Sequence, residues 1–169
     1  MIYIGIDPGL TGAVAFIPDA DYSGEANVVD TPIMDVGSHG KVRRKYNIAG
    51  MASLLQPYEH NKDSVLVVLE SVHAMPSQGV SSSFGFGEGL GLWKGIIAAY
   101  GLPVELPSPQ RWKKEIMADQ GREKSAARFK AMQLFPKLAD RFSRVKDDGR
   151  AEAILMAEWG RRLKKGGNG

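Results

Sequence analysis

A chain of 169 residues with 43% apolar and 24% charged residues has the size and composition of one ordinary folded domain with a buried core. No uninterrupted apolar run approaches the roughly 18 residues that suggest a membrane span, which excludes a membrane protein of the helical kind. The net charge of +3 hides an asymmetry: residues 1–34 hold five acids and no Lys or Arg, whereas residues 108–169 hold sixteen Lys or Arg against eight acids.

The first residues lack the charged, apolar and small-residue succession of a secretory leader. With no Cys there is no disulfide and no thiolate metal site, so a reducing, cytoplasmic setting is expected. IYIGID and TGAVAFI read as strands joined by a turn at Pro8 and Gly9, and NVVDTPIM reads as a third strand after the polar loop DADYSGE. Together they predict an antiparallel meander. A helix is expected over 48–58, and the consecutive apolar residues of SVLVVLES suit a strand buried on both faces. Residues 79–100 read as helical at least from Gly89 onward, followed by a short strand in PVEL. From Ser108, whose pairing with Pro109 is a helix-start signal, the chain is helical in SPQRWKKEIMA, REKSAARFKAMQLF and DGRAEAILMAEWGRRLKK. The predicted architecture is one α/β domain over 1–165, a mixed sheet of a three-strand antiparallel meander plus parallel strands, flanked by helices. A frayed tail is expected at 166–169.

Four acids fall at telling places on this frame. Asp7 and Glu70 each end an apolar strand, where a carboxylate is costly unless something compensates it. Asp148 and Glu152 stand four apart on one face of the last helix. Singly, these residues also suit a turn, a surface position, an N-cap and a solvated helix face. Converging, they would repel one another unless a divalent cation resolved the conflict, and oxygen donors without a His or Cys cluster select Mg²⁺ or Mn²⁺ over zinc. The bases are concentrated too. GKVRRKYN holds Lys41, Arg43, Arg44 and Lys45, and with the late helices it suggests a polyanionic partner, most simply nucleic acid, against the alternative of ordinary solvated faces.

IGIDPGLTGAVAF, VVLESVHAMPSQG, REKSAA and DDGRAEAILMA, in this order, resemble the RuvC family of Holliday junction resolvases, particularly its smaller phage-type relatives, over almost the whole chain. The resemblance implies a ribonuclease H-like fold and a homodimer. It also implies cutting of four-way DNA junctions by paired symmetric nicks that leave 5′-phosphate and 3′-hydroxyl ends, with two Mg²⁺ ions per site and Mn²⁺ as a substitute. It assigns Asp7, Glu70 and Glu152 as catalytic metal ligands and places Lys124 near the scissile phosphate.

The fourth acid departs from the family spacing D-x-x-D, because Gly149 lies three before Glu152. Asp148 is preferred, since an i, i+4 pair shares a helical face, and Asp147 is the alternative if the helix starts later. His73 stands where the family often has an aromatic side chain at the junction crossover, and an imidazole stacks more weakly. Met75, Arg111, Trp112, Lys113 and Lys114 join Arg43, Arg44 and Lys45 as candidates for DNA contact. Gly87, Gly91 and Gly95 form a smooth helical stripe expected to pack on a second subunit or on the chain's own sheet.

Three other readings stand beside this one: a related nuclease preferring forks, flaps or RNA, a non-catalytic junction-binding protein, and an actin-like sugar kinase. IGIDPGLTGAVAF also resembles the first phosphate loop of those kinases, but a second lobe is needed to close over ATP and the chain is too short for it. The sequence names no helicase partner.

Overall fold

The computed structural model describes residues 1–19, 26–38, 40–71, 79–121, 123 and 125–166. Its strands are β1 (Ile2–Asp7), β2 (Ala13–Pro18), β3 (Asn27–Asp30), β4 (Ile33–Ser38), β5 (Lys41–Tyr46), β6 (Val65–Leu69) and β7 (Val104–Glu105). β1, β2 and β3 form the expected antiparallel meander, with Asp7 opposite Ala13 and Ala13 opposite Asp30. β6 lies parallel to β1 and β7 parallel to β6, so the five-stranded sheet has the order β3-β2-β1-β6-β7.

The single strand read in NVVDTPIM is two strands. The break falls at Thr31–Pro32, where proline has no N–H to continue a ladder, and β4 then leaves the sheet to pair with β5 as a separate ribbon.

The helices are α1 (Ile48–Leu55), α2 (Val80–Ala99), α3 (Pro109–Ile116), α4 (Ala126–Leu134) and α5 (Asp148–Gly166). α1 stops short of the expected 58 and gives way to a 3-10 turn, Gln56–Tyr58, that contains Pro57. α5 runs through Gly166, a residue the sequence reading assigns to the tail. Among the described residues no helix is long and apolar enough to cross a membrane.

Strand alternation sends two sets of side chains to opposite sides of the sheet. Ile4, Ile6, Val14, Val67 and Leu69 bury with Met51, Leu55, Trp93 and Ile97 of α1 and α2. Tyr3, Ala15, Ile17, Leu66 and Val68 bury with Trp112 of α3, Ala131 of α4 and the apolar stripe of α5.

One close contact positions the site. A Cβ at Gly5 would collide with the backbone of Ala153 and Ala157, and one at Gly160 would lie 2.6 Å from Val68 Cγ2. Gly5 on the strand, and Ala153, Ala157 and Gly160 on the helix, therefore let α5 lie directly on β1 and β6. Its first turn then reaches the strand end that carries Asp7.

Candidate functional site

Ile6 of β1 sits beside Leu69 of β6, and both point toward α1 and α2. The next residues, Asp7 and Glu70, therefore emerge together at one end of the sheet on the α5 side. Glu70 is 5% exposed and accepts a hydrogen bond from the Trp112 indole N–H at 2.9 Å. Trp112 is fixed because α3, capped by Ser108, buries it with Ile116 one turn on. Glu152 enters from the second turn of α5, where Lys113 Nζ meets it at 2.6 Å.

The electrostatics show that these acids feel one another. Burial, then the charges of Glu152 and Glu70, push the Asp7 carboxyl up to about 7 against the smaller pull of the Gly9 N–H and Lys113. Burial also raises Glu70, with Glu152 adding to the rise and the Trp112 hydrogen bond and Lys113 opposing it. Burial, joined by carboxylate charge that one lysine does not cancel, is why Asp7 holds its proton. Among the described residues, no three His, Cys, Asp or Glu side chains stand as a ready-made metal cage.

The two candidates for the fourth acid have different surroundings. Asp148 opens α5 and lines a cavity of about 530 Å³ with Glu152, Lys113, Met117 and Gln120. Arg128 Nε approaches Asp148 Oδ1 at 2.8 Å without forming a hydrogen bond, and the Asp148 side chain stays 49% exposed. Asp147 ends a separate 3-10 turn, Val145–Asp147, and is 1% exposed. It accepts hydrogen bonds from the Arg144 backbone N–H at 2.9 Å and from Arg144 Nη2 at 2.9 Å, and Arg150 Nη1 lies 3.4 Å away. The Arg144 hydrogen bond holds the Asp147 carboxyl below the usual carboxylate range. Asp147 faces a second cavity with Thr11, Asp30 and Arg44 rather than the Glu152 side.

Gly149 occupies the D-x-x-D position itself. A Cβ there would stand 2.9 Å from Asp7 Oδ2 and 2.5 Å from the Thr11 carbonyl oxygen. The position points at Asp7, and the close approach of α5 leaves it no side-chain room.

The structure brings Asp7, Glu70 and Glu152 together, and Asp148 lines a cavity with Glu152. Lys113, read as a DNA contact, lies among the acids. Trp112, also read as a DNA contact, is fully buried and holds Glu70 instead, a correction whose physical cause is the apolar i, i+4 stripe it shares with Ile116. That stripe was the available signal. Arg111 stacks over the Trp159 ring at 5.1 Å, Lys114 is exposed on α3, and Arg43, Arg44 and Lys45 lie on the β4–β5 ribbon. Lys124, His73 and Met75 lie outside the described residues.

No family model matches the chain, and neither does any curated protein sequence. Among solved structures it is similar to a Thermus thermophilus RuvC structure, with a TM-score of 0.59, 18% identity and 97% of each chain covered. It is also similar to T. thermophilus RuvC in complex with Holliday junction substrate, with a TM-score of 0.56, 16% identity and 96% of each chain covered. At such identities the likeness is one of architecture, and it agrees with the sheet order and helix placement above: the chain has the RuvC-like form of the ribonuclease H-like fold.

Proposed function

We propose that the chain is a divalent-metal-dependent endonuclease that resolves four-way DNA junctions by paired symmetric nicks. The observation that carries this reading is the convergence of Asp7, Glu70 and Glu152 at one end of the sheet, where burial and mutual repulsion raise Asp7 to about 7. The likeness to RuvC, in one case as a complex with Holliday junction substrate, supports it.

The donor set contains oxygen alone and suits Mg²⁺ or Mn²⁺, and the burial and mutual repulsion that disfavour ionised Asp7 and Glu70 are what such ions offset. Asp7, Glu70 and Glu152 would hold two ions, with Asp148 joining them from the first turn of α5. When bound, divalent cations supply Lewis-acid stabilisation of the phosphate and a water of lowered pKa.

The chain's own residues prepare the site. Trp112 fixes Glu70 through Oε1 and so limits the rotamers available to its carboxylate. Lys113 pairs with Glu152 and would meet a phosphate oxygen once DNA arrives. Lys124 belongs to the same reading as a cation near the scissile phosphate. Hydrolysis in such a site needs no covalent enzyme intermediate.

Two nicks related by a twofold axis need two sites related likewise, which a second copy of this chain supplies. The α2 surface favours such a homodimer. An added Cβ at Gly87, Gly91 or Gly95 would meet nothing, so the chain's own sheet does not cover the stripe, and Phe84 on the same face is 75% exposed.

Substrate choice is tested with a synthetic four-way junction, a fork and a linear duplex, with and without Mg²⁺, by mapping the cut ends. The expected result is Mg²⁺-dependent nicks at symmetric positions in two opposing junction strands, each with a ligatable 5′-phosphate. Cutting of the linear duplex alone, or of the fork in preference to the junction, contradicts the proposal.

A further inference from the structure

β4 and β5 pair with each other outside the five-stranded sheet, with Met34 opposite Lys45, Val36 opposite Arg43 and Ser38 opposite Lys41. Directly opposed residues of an antiparallel pair share a face, and neighbours along a strand alternate. One face therefore carries Lys41, Arg43 and Lys45 with Met34 and Val36. The other carries Arg44 opposite Asp35, with Val42, and ends at Tyr46. Lys41, Arg43 and Lys45 are all exposed, and among the described residues none makes an ion pair or a side-chain hydrogen bond.

We propose that this ribbon is a docking element for a duplex DNA arm, its Lys41–Arg43–Lys45 face lying on the phosphate backbone. The proposal rests on the junction-nuclease reading for its ligand and adds a binding surface to it.

Charge complementarity fixes the occupant. Residues at two-residue intervals stand about 6.7 Å apart, so three cations follow one edge over about 13 Å, against duplex DNA with a charge every ~1.7 Å of axis. Charged edges also guard lone strands against pairing with other chains, but a guard works with either sign on either face. Here the signs are sorted. Asp35 lies on the far face opposite Arg44, and the Lys41 face holds no acid.

The same face lacks what would hold a free hairpin together. Its described cross-strand pairs set an apolar residue against a cation, and an isolated two-stranded ribbon is at best marginally stable in water. Its root, by contrast, is anchored beside the acids. The Tyr46 hydroxyl lies 3.2 Å from the Pro8 carbonyl oxygen and 3.1 Å from that of Gly85, and Pro8 follows Asp7 directly. A two-stranded ribbon is also narrow enough for the major groove of B-DNA. The ribbon that would hold the arm is thus rooted next to Asp7.

The test is binding in EDTA, where metal-dependent cutting is silent. Fluorescence anisotropy over a salt series would compare a four-way junction, a linear DNA duplex and an RNA duplex. The proteins are the wild type, the triple variant Lys41→Gln/Arg43→Gln/Lys45→Gln, and Arg44→Gln. All the substituted side chains are exposed, so thermal melting is expected to match the wild type.

The expected result is that the triple variant flattens the plot of log affinity against log salt by about 2.7 for both DNA ligands, at about 0.9 per lost contact. Arg44→Gln should leave the slope unchanged. An unchanged slope in the triple variant, an equal effect of Arg44→Gln, or a slope change on duplex RNA larger than on either DNA ligand overturns the proposal. Nicking in Mg²⁺ is read separately. A flattened slope in a protein that cuts no junction keeps the ribbon and removes the nuclease, whereas an unchanged slope with intact nicking does the reverse.

Discussion

Asp7 keeps its proton up to about pH 7 because burial and the charges of Glu152 and Glu70 disfavour its ionised form. An unfolded chain releases that proton near 3.9, so between about pH 4 and 7 the folded chain binds more protons. Asp7 therefore lowers stability as pH rises through that window, and the loss is complete above it. Asp7→Asn removes the penalty. In EDTA at pH 8 its melting temperature should exceed the wild type by at least about 2–4 °C, the effect of 1 kcal/mol in a domain of this size, and the gap should close toward pH 4. Mg²⁺ should reverse the order, since an ion held by Asp7 stabilises the wild type alone. Equal melting at every pH would mean that Asp7 is solvated. The neighbouring acids divide differently. Asp147 is buried against Arg144 and Arg150, whereas Asp148 is half-exposed on the Glu152 cavity. Asp147→Asn should cost about 1–3 kcal/mol of stability by denaturant titration and leave nicking largely intact. Asp148→Asn should leave stability alone and slow single-turnover nicking by at least about tenfold, with partial rescue at high Mn²⁺. The opposite pattern would make Asp147 the ligand.

The first turn of α5 decides which acids the last helix can deliver. Gly149 stands where D-x-x-D spacing would put a carboxylate, yet a Cβ added there would collide with the Thr11 carbonyl oxygen and Asp7 Oδ2. Gly149→Asp in an Asp148→Asn background should therefore fail to restore nicking and should destabilise the fold by about 1–3 kcal/mol, as overpacking does. Recovery of wild-type nicking would show that α5 has room to shift. The i, i+4 argument from sequence puts Asp148 on the Glu152 side, where the two line one cavity, because helical periodicity is a local property, but the 3-10 turn before it depends on Arg144 and Arg150 and could not be read from spacing. β1 and β6 were legible for a similar reason: apolar runs ending in Asp7 and Glu70 fit buried strands. The β4–β5 ribbon was not. KVRRKY carries charge on both faces and so shows no period of two, and its strand character comes from pairing with β4. Trp112 was misread through its neighbours, since RWKK reads as a basic surface until the buried stripe of α3 is seen.

At the scale of the molecule, the sheet end that gathers the acids, the ribbon rooted beside Asp7 and the open stripe of α2 suit one chain of a twofold assembly on branched DNA. Gly91→Leu tests the stripe. In a lone chain the new side chain meets open space and gains roughly 0.8–1 kcal/mol of helix propensity, so monomer stability should hold or rise. Self-association by sedimentation should weaken at least about tenfold, a change of about 1.4 kcal/mol in dimer affinity, and unchanged association would place the dimer contact elsewhere. The central claim is that the clustered carboxylates perform metal-dependent phosphodiester cleavage. Its most direct test is single-turnover nicking of a four-way junction by the wild type and Glu70→Gln in Mg²⁺, with junction affinity measured in parallel in EDTA. Gln keeps an acceptor for Trp112 and removes only the charge. The account predicts a loss of nicking of at least about 100-fold with affinity unchanged or tighter, because a charge facing the phosphates is gone. Nicking that survives in Glu70→Gln, or binding that falls in step with it, would contradict the claim.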